Sequence, residues 1–448
     1  DKAVLGVGIF LVALAVGWFV GKASERSPLP IVVAFVVAAV VGIAAQMTEP
    51  GAVAALVIAS TLVAMGAGLL TWYGIVMWTR PVERGTPDFD PADFGRRRVL
   101  VAVGAAVVVS AVSVGVGRSM LRGRAEAQRG ALILPEPVER QADPGLENAF
   151  DLDLMSPIVV PNAAFYRIDT ALVVPAVDPD EWTLTIKGMV DREVVLTYAD
   201  ITSMPLVERY VTLSCVSNKV GDGLVGNALW TGVPLPDLLD MAGVQAGADQ
   251  IVGRSIDGWA AGFPTKLAFD GRNALLAIGM NREVLPANHG FPARLVVPGL
   301  YGYVSATKWL TEVELTTWDA FDGYWIPRGW SKEGPIKTQS RIDRPRNRSK
   351  VDAGAYTLGG IAWSPTNGVA GVEVQIDDGA WMQCELSAPL SNEAWLQWKL
   401  DTTLIEGDHL IRVRATDGTG FTQTSREVPP APNGAEGWHT INIKAVVV

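Results

Sequence analysis

Residues 211–239, VTLSCVSNKVGDGLVGNALWTGVPLPDLL, decide the fold of the middle of this chain. A run of β-branched residues ends at Cys215, and a loop rich in Ser, Asn, Asp and Gly follows. The chain has two cysteines, which is too few for a disulfide-stapled scaffold. Cys384 fits the usual fate of a lone cysteine, a small buried apolar residue. Cys215 instead occupies a strand-to-loop junction, where reactive groups are commonly held.

The chain offers Cys215 few partners for catalysis. A nucleophilic thiol needs a base, and the histidines are His289, His409 and His439, the last two in a predicted β-sandwich. A zinc site needs more soft ligands than the chain supplies. A thiolate that serves as the one protein ligand of a cofactor-held metal fits this composition better.

The segments around this loop alternate between strand and helix patterns. Period-2 patterns and helix signals predict strands over 182–190, 275–280 and 293–299, a strand leading into a short helix over 196–204, and a helix over 234–243. We therefore expect an α+β domain over residues 161–318. A bridge rich in basic residues and turn formers follows over 319–350, and short alternating strands with Gly/Asp turns predict an immunoglobulin-like β-sandwich over 351–448.

The N-terminal quarter of the chain is strongly apolar. Uncharged apolar stretches run over residues 3–21, 27–48, 50–79 and 99–117. About twenty apolar residues cross a bilayer core, so the pattern predicts an all-α membrane bundle of four spans over 1–117, followed by an extracytoplasmic tether over 118–160. Each stretch taken alone would also suit a buried core helix.

Charges between these stretches predict an orientation. Lys22 and Arg26 lie in the first loop, five arginines lie in the third, and the second has no basic residue. The positive-inside rule then predicts a multi-pass protein of the cell membrane, with the catalytic domain on the extracytoplasmic side. Arg96–Arg98 precede the fourth span as in a twin-arginine export signal, although an ordinary cytoplasmic arginine cluster explains them equally well. The chain begins at Asp1 without methionine, so we expect further sequence upstream.

Charge excludes one class of partner. Residues 131–448 carry a net charge of −14, against −10 for the whole chain. Binding of nucleic acid rests on neutralising phosphates, so no nucleic-acid partner is expected.

Five stretches together resemble one protein family. TLSCVSN with WTGVPLPDLL, then LLAIGMNREVLPANHGFPARLVVPGLYGYVSATKWLTEVELT (275–316), is similar to the sulfite-oxidase-like molybdopterin oxidoreductases. FYRIDTALVVPAVDPDEWTLTIKGMV (165–190) resembles the start of their cofactor domain, and GVEVQIDDGAW (371–381) resembles their second domain. The resemblance covers about residues 161–440 and indicates a membrane-anchored bacterial form.

The resemblance implies a molybdenum atom held by one pyranopterin dithiolene (molybdopterin), with Cys215 as its protein ligand. It also implies a catalytic role for Cys215 and Arg328. The cofactor-binding residues that it implies are Phe165, Tyr166, Arg167, Asn218, Asp257, His289, Arg294, Ser305 and Lys308. Without the resemblance, Arg294 and Lys308 would be read as surface charges and His289 as a loop cap.

Departures from the family pattern bear on the substrate. Lys219 stands near the place where sulfite oxidases have an arginine, and AWSPTNGV (362–369) lacks their second arginine. WIPRGW (325–330) keeps Arg328 but has Trp330 near the place of a tyrosine. We therefore expect oxygen-atom transfer on a small substrate other than sulfite. A neutral or zwitterionic sulfoxide suits the lower positive charge, and Lys219 and Arg328 leave a monoanion open.

The chain must exchange electrons with a separate redox partner. The predicted spans contain no histidine for haem, and no cysteine cluster exists for iron–sulfur. A quinol-linked subunit or a cytochrome is therefore expected, beside the lipid bilayer and a homodimer through the sandwich. The alternative function is a catalytically silent membrane scaffold or assembly subunit that retains the fold.

Overall fold

A computed structural model describes residues 123, 125–171 and 173–447, and five isolated positions nearer the N-terminus, Val33, Val36, Val37, Val40 and Ile58. The chain divides into two units, Asp1–Gly123 and Arg124–Val448. The second unit carries the site, and its first part holds ten strands. In chain order they are β1 (Thr183–Gly188), β2 (Val194–Thr197), β3 (Val207–Ser214), β4 (Val225–Pro234), β5 (Gln250–Ser255), β6 (Ala260–Pro264), β7 (Leu275–Met280), β8 (Glu283–Val284), β9 (Arg294–Val296) and β10 (Leu310–Thr316).

These strands form two sheets. The first has the order β2-β1-β10-β5-β6, with β1 and β10 parallel, and the second has the order β3-β4-β7-β8, with β9 paired to β7. Burial follows the side-chain period of two in β1, where Leu184 and Ile186 are buried. β4 lies between β3 and β7 and is buried on both faces over nearly its whole length.

Short helices connect the strands, and local signals explain their limits. α1 (Tyr198–Ser203) begins with a capping box, in which Thr197 and Asp200 satisfy each other's backbone N–H groups. α2 (Leu235–Ala242) has a proline at its start and ends at Gly243, whose φ of 71° suits glycine. α3 (Gly302–Ser305) is a single turn. Three 3₁₀ turns lie at Thr265–Ala268, Ala287–His289 and Ile326–Arg328.

Nine further strands form a two-sheet sandwich. They are β11 (Gln339–Arg344), β12 (Lys350–Asp352), β13 (Gly354–Trp363), β14 (Val369–Ile376), β15 (Met382–Gln383), β16 (Glu385–Leu386), β17 (Leu396–Leu404), β18 (Gly407–Asp417) and β19 (His439–Val446). One sheet has the order β11-β13-β17-β16 and the other β12-β19-β18-β14-β15. Inward-facing residues such as Trp398, Val413 and Ile441 form their shared core. The homodimer predicted through this sandwich stays a prediction.

The sandwich packs against the strand that ends just before Cys215. The backbone N–H of Trp395 donates to Thr212 Oγ1 in β3 (2.8 Å), and its indole Nε1–H donates to Ile158 O (2.8 Å). Arg341 of β11 reaches the loop after Cys215, where its Nη1 donates to Asp222 O (2.8 Å). The sandwich thus fixes both ends of the segment that carries the cysteine.

His439 of β19 completes this junction and makes it sensitive to acid. Its Nδ1 accepts a hydrogen bond from the Ile342 N–H (2.9 Å), and its ring lies against Gly221. Burial lowers the pKa of His439 to about 4, with Arg341 adding to the effect. The imidazole is therefore neutral in the folded chain, whereas an unfolded chain takes up the proton near pH 6.5.

This depressed pKa predicts a pH-dependent loss of stability. Between pH 6.5 and 4 the unfolded state binds more protons, so the free energy of unfolding should fall as pH falls, by about 3 kcal/mol from this group. The variant His439→Asn keeps an acceptor for Ile342. Between pH 7 and pH 4 its free energy of unfolding, measured with urea, should fall by about 3 kcal/mol less than that of the native chain. The control is His409→Asn, because burial lowers the pKa of His409 but its partners Ile405 and Asp377 outweigh burial and raise it. That variant should lose stability at low pH relative to the native chain. Parallel pH profiles for native chain and His439→Asn would contradict the prediction.

The predicted all-α bundle of four membrane spans and the multi-pass location need correction. In the part of the chain that the structure describes, no helix is long and apolar enough to cross a membrane. α2, with 8 residues, is about 12 Å long at 1.5 Å per residue, against a hydrocarbon core of about 30 Å. The described fold is mostly β-sheet. The four predicted spans and the arginine cluster at 96–98 lie outside the described residues, apart from the five isolated positions.

Candidate functional site

A cavity of about 200 Å³ opens at the ends of β3, β9 and β10. Cys215 follows directly after β3, Arg294 is the first residue of β9, and Lys308 lies two residues before β10. All three side chains line the cavity, together with His289 from the 3₁₀ turn before β9. Segments far apart in the chain thus bring a thiol, two cations and an imidazole to one place.

The Cys215 thiol has hydrogen-bond donors aimed at its sulfur. Burial raises the pKa of Cys215, while the backbone N–H and the hydroxyl of Ser217 both act to lower it. These two donors would stabilise a thiolate, and a metal ion bound to the sulfur would favour the thiolate further. Asn218 shapes the same loop, because its side-chain oxygen accepts the Leu224 N–H (2.8 Å). The arrangement suits a thiolate ligand to a metal.

Arg294 is a buried cation without an acidic partner. It is 5% exposed, and among the described residues no carboxylate pairs with it. Its Nη1 donates to His289 O (3.1 Å), its Nε to Leu295 O (3.4 Å), and its guanidinium lies 5.0 Å from the Trp230 ring centroid. Burial lowers the pKa of Arg294 to about 10. Since an arginine has five N–H donors and an unpaired buried charge is costly, this site is suited to an anion.

His289 is held as a neutral imidazole with one nitrogen free. Its Nε2 lies 2.9 Å from Asn162 O and so carries the proton, while Nδ1 has no hydrogen-bond partner among the described residues. Burial lowers the pKa of His289, and Arg294 and Arg167 lower it further. Phe165 packs edge-on against the ring, at 5.6 Å between centroids. Nδ1 is therefore available as an acceptor in the cavity wall.

Asp169 pairs with the two other cations near the cavity. Its carboxylate is 4% exposed and forms ion pairs with both Lys308 and Arg167. Lys308 Nζ also donates to Asn288 O (3.2 Å). Lys308 lines the cavity, whereas the half-exposed Arg167 side chain does not. Of these cations, only Arg294 keeps its charge without a carboxylate partner.

Gly290 lets His289, Arg294 and Lys308 approach one another. It adopts φ 116°, and a Cβ there would lie 3.0 Å from Lys308 Cβ and 3.1 Å from Arg294 Cβ. A side chain at this position would therefore strain the backbone and push the two cations apart.

A non-glycine residue at positive φ costs about 1–3 kcal/mol. Gly290→Ala should lower the free energy of unfolding by more than this, because the added Cβ also meets its neighbours. Urea unfolding measures the change. The matched control is Gly271→Ala, since Gly271 has φ 91° and nothing within 4 Å of the added Cβ. Equal losses for the two variants would contradict the role given to close packing around Gly290.

Tyr166 and Phe165 close the inner side of the cavity. Phe165 is buried and stacks on Tyr166, at 5.2 Å between centroids. Burial raises the pKa of Tyr166, and the Cys215 sulfur raises it further against the opposing effect of Arg294. The hydroxyl therefore stays protonated beside the thiol and the guanidinium, where it can donate a hydrogen bond.

The other predicted site residues divide between the cavity wall and positions outside it. Asp257 lines the cavity. Asn218 and Ser305 do not line it, and Ser305 Oγ donates to the backbone at Tyr301 O (3.2 Å). The exposed Arg328 lies over the Tyr324 ring (3.7 Å to the centroid) and donates to Tyr324 O (2.6 Å). The structure thus gathers Cys215, Phe165, Tyr166, Asp257, His289, Arg294 and Lys308, and leaves Arg167, Asn218, Ser305 and Arg328 outside the wall.

Sequence reasoning missed much of the cavity wall. Asp169, Ser217, Trp259, Tyr303 and Trp325 line it, beside Trp330. A hydroxyl two residues after a candidate thiolate was a readable signal for Ser217. Asp169 and the aromatic residues had no such signal, because their convergence depends on the tertiary fold.

The residues present fit a metal cofactor that carries a phosphate. Cys215 has two donors to its sulfur, and the buried guanidinium of Arg294 has donors left for an anion. The neutral His289 leaves an acceptor for a ring or phosphate edge. The donor set therefore matches the thiolate and anion contacts that such a cofactor requires.

Comparisons with known proteins show what this part of the chain is similar to. Residues 171–325 match the family described as "Oxidoreductase molybdopterin binding domain". The chain is 28% identical over 338 residues to mitochondrial sulfite oxidase of Macaca fascicularis, a match covering 64% of this chain and 61% of that protein. It is 27% identical over 317 residues to the NADH nitrate reductase of Solanum lycopersicum, a match covering 56% of this chain and 35% of that protein. The chain thus spans less than two thirds of the length of these relatives.

A solved structure shares the fold. The crystal structure of the sulfane dehydrogenase SoxCD from Paracoccus pantotrophus aligns with a TM-score of 0.57 at 20% identity, covering 70% of this chain and 90% of that one. At this identity the likeness concerns the fold alone.

Proposed function

We propose that this chain, whose residues 171–325 are a sulfite-oxidase-like molybdopterin-binding domain, is a molybdenum oxidoreductase that transfers an oxygen atom on a small substrate. The cofactor of this domain is molybdenum with molybdopterin. One observation carries the proposal: the buried Arg294, without a carboxylate partner among the described residues, shares a cavity with Cys215. A chain that had lost its cofactor would gain by replacing such a cation with an apolar residue.

In this proposal each group in the wall has one role. Cys215 would hold the metal, with Ser217 donating to its sulfur. Arg294 would bind the phosphate, and His289 Nδ1 and Lys308 would contact the pterin or its phosphate. When bound, the cofactor supplies a two-electron redox change at its metal, and the protein orients the substrate. The protonated Tyr166 hydroxyl would donate a hydrogen bond to the oxygen that is transferred.

The charges at the cavity support a substrate other than sulfite. Lys308 and Arg167 are paired with Asp169, and Arg328 lies over Tyr324 outside the wall. Lys219 is exposed and does not line the cavity. With Arg294 assigned to the cofactor, Lys308 is the remaining lysine or arginine of the described wall, and it shares the Asp169 carboxylate with Arg167, which is little positive charge for an oxyanion with two charges. We propose a sulfoxide, reduced to the thioether.

The reaction then balances with an external reductant. The sulfoxide takes up two electrons and two protons, its S=O bond breaks, and the products are a thioether and water. The electrons would come from a separate redox partner, a quinol-linked subunit or a cytochrome.

Steady-state assays of the purified chain test this proposal. With reduced methyl viologen as donor, dimethyl sulfoxide should be reduced, with two dye electrons consumed per molecule. With ferricyanide as acceptor, sulfite oxidation should be at least 100-fold slower. Sulfite turnover as fast as sulfoxide turnover would overturn the substrate assignment. A chain loaded with molybdenum that turns over neither substrate, nor nitrate, would favour the alternative of a catalytically silent scaffold.

A further inference from the structure

The outer part of the cavity carries a cluster of aromatic side chains. Trp330 lies 6.0 Å from Tyr303 and 6.2 Å from Trp325, measured between ring centroids. Tyr324 lies behind the cavity wall with Arg328 over its ring, and it links Trp325 (5.1 Å) to Trp259 (6.1 Å). Trp325 is 37% exposed, whereas Arg294 and His289 at the inner end are 5% and 2% exposed. The aromatic cluster therefore lies where a substrate would enter.

A carboxylate lies in the same wall. Asp257 lines the cavity beside Trp259, and its Oδ1 accepts the Trp259 N–H (3.1 Å). Among the described residues no lysine or arginine forms an ion pair with Asp257, in contrast to the doubly paired Asp169. Its second oxygen is therefore available to a ligand.

An aromatic cluster of this kind with a carboxylate favours an organic cation. The face of an indole or phenol ring carries negative charge density and attracts ammonium groups, most strongly in tryptophan. An unpaired carboxylate adds attraction for a cation and repels an anion. Residues 131–448 carry a net charge of −14, which further raises the local concentration of cations.

We propose that Trp259, Tyr303, Trp325 and Trp330 together with Asp257 bind a small organic cation, a quaternary ammonium or sulfonium group carried by the substrate. This inference deepens the proposed function and rests on it, because the bound cation is taken to belong to the substrate of that reaction. The cationic group sits among the rings at the mouth, and the oxygen to be transferred reaches inward toward Tyr166 and Cys215. The aromatic cluster then determines the specificity of the site.

Binding of tetramethylammonium chloride to the purified full chain tests the proposal. Isothermal titration calorimetry and tryptophan fluorescence should both detect saturable binding. The neutral analogue tert-butanol should bind at least 10-fold more weakly, and sulfate should not compete. Equal binding of tetramethylammonium and tert-butanol would overturn the inference.

Variants assign the binding to this wall. Trp330→Leu and Asp257→Asn should each weaken tetramethylammonium binding about 5- to 30-fold, as loss of a cation–π contact or an opposite charge implies. Trp330→Phe keeps a ring and should retain most of the affinity. The matched control is Trp381→Leu in the sandwich, where Trp381 contacts Arg414 and not the cavity. Unchanged affinity in both Trp330→Leu and Asp257→Asn would also overturn the proposal.

The two proposals fail separately in these experiments. Tetramethylammonium binding needs no metal. If the chain bound tetramethylammonium but did not turn over a sulfoxide, the cation site would stand and the proposed enzymatic function would fall. Sulfoxide reduction by a chain that does not bind tetramethylammonium would leave the enzyme and remove the cation site.

Discussion

Serine in place of Cys215 is expected to lower turnover by roughly 10³-fold or more while the fold is retained. A metal–ligand interaction contributes several kcal/mol to stabilising the transition state, and each 1.36 kcal/mol is a factor of ten in rate. Serine has nearly the shape of cysteine but a hydroxyl that stays protonated at neutral pH, so it cannot replace the thiolate. The donors on Ser217 would then face a neutral oxygen.

Three measurements on Cys215→Ser check this expectation. Steady-state turnover gives the rate, molybdenum EPR reports the changed ligand sphere, and urea unfolding reports the fold. The control is Cys384→Ser, because Cys384 packs against the sandwich core and burial raises its pKa to about 12. That variant should keep the native EPR signal and turnover. A native EPR signal in Cys215→Ser would exclude this sulfur as the ligand.

The second large effect is expected for Arg294→Met, and its sign should depend on the cofactor. The chain without cofactor should become more stable, by about 1–3 kcal/mol, since a buried cation without a carboxylate partner is replaced by an apolar side chain of similar length. Cofactor retention should fall by about 30-fold or more, because removing one partner of a buried charge pair costs about 2–5 kcal/mol. A residue that serves only the fold would lower stability in both states.

Urea unfolding of the chain with and without cofactor, together with molybdenum content after dialysis, measures both effects. The control is Arg272→Met, because Arg272 is paired with Asp270 and donates to Pro298 O (2.7 Å). This variant should lose stability without losing cofactor. If Arg294→Met destabilised the empty chain and kept its molybdenum, the anion-binding role would be wrong.

Local signals predicted individual elements well. The helix opening at a proline over 234–243 is α2, and the apolar run at 275–280 is β7. The strand-to-helix pattern over 196–204 contains the capping box of α1, which is purely local. These elements could be predicted because their periodicity and caps are written within a few consecutive residues.

The spatial arrangement of the site could be predicted only in part. Cys215, His289, Arg294 and Lys308 stood in recognisable motifs, and the structure brings them to one cavity. Asp169 pairs with Lys308 across 139 residues, and the indoles of residues 259 and 330 meet at one mouth only through the tertiary fold.

Hydropathy was a weaker guide at the other end of the chain. Four apolar stretches predicted an all-α membrane bundle, but no helix among the described residues is long and apolar enough to cross a membrane. The described fold is mostly β-sheet, and its named helices have at most eight residues. The described residues that line the cavity all lie between 165 and 330.

Molybdenum and pterin content per polypeptide is the most direct measurement of the central claim, that Cys215 and Arg294 hold a molybdenum cofactor in this cavity. The full chain is purified from a host shown to load other molybdenum enzymes. The account predicts close to one molybdenum and one pterin per chain, with both lowered in Arg294→Met. Absence of both from the native chain would contradict the account and leave a scaffold that retains the fold.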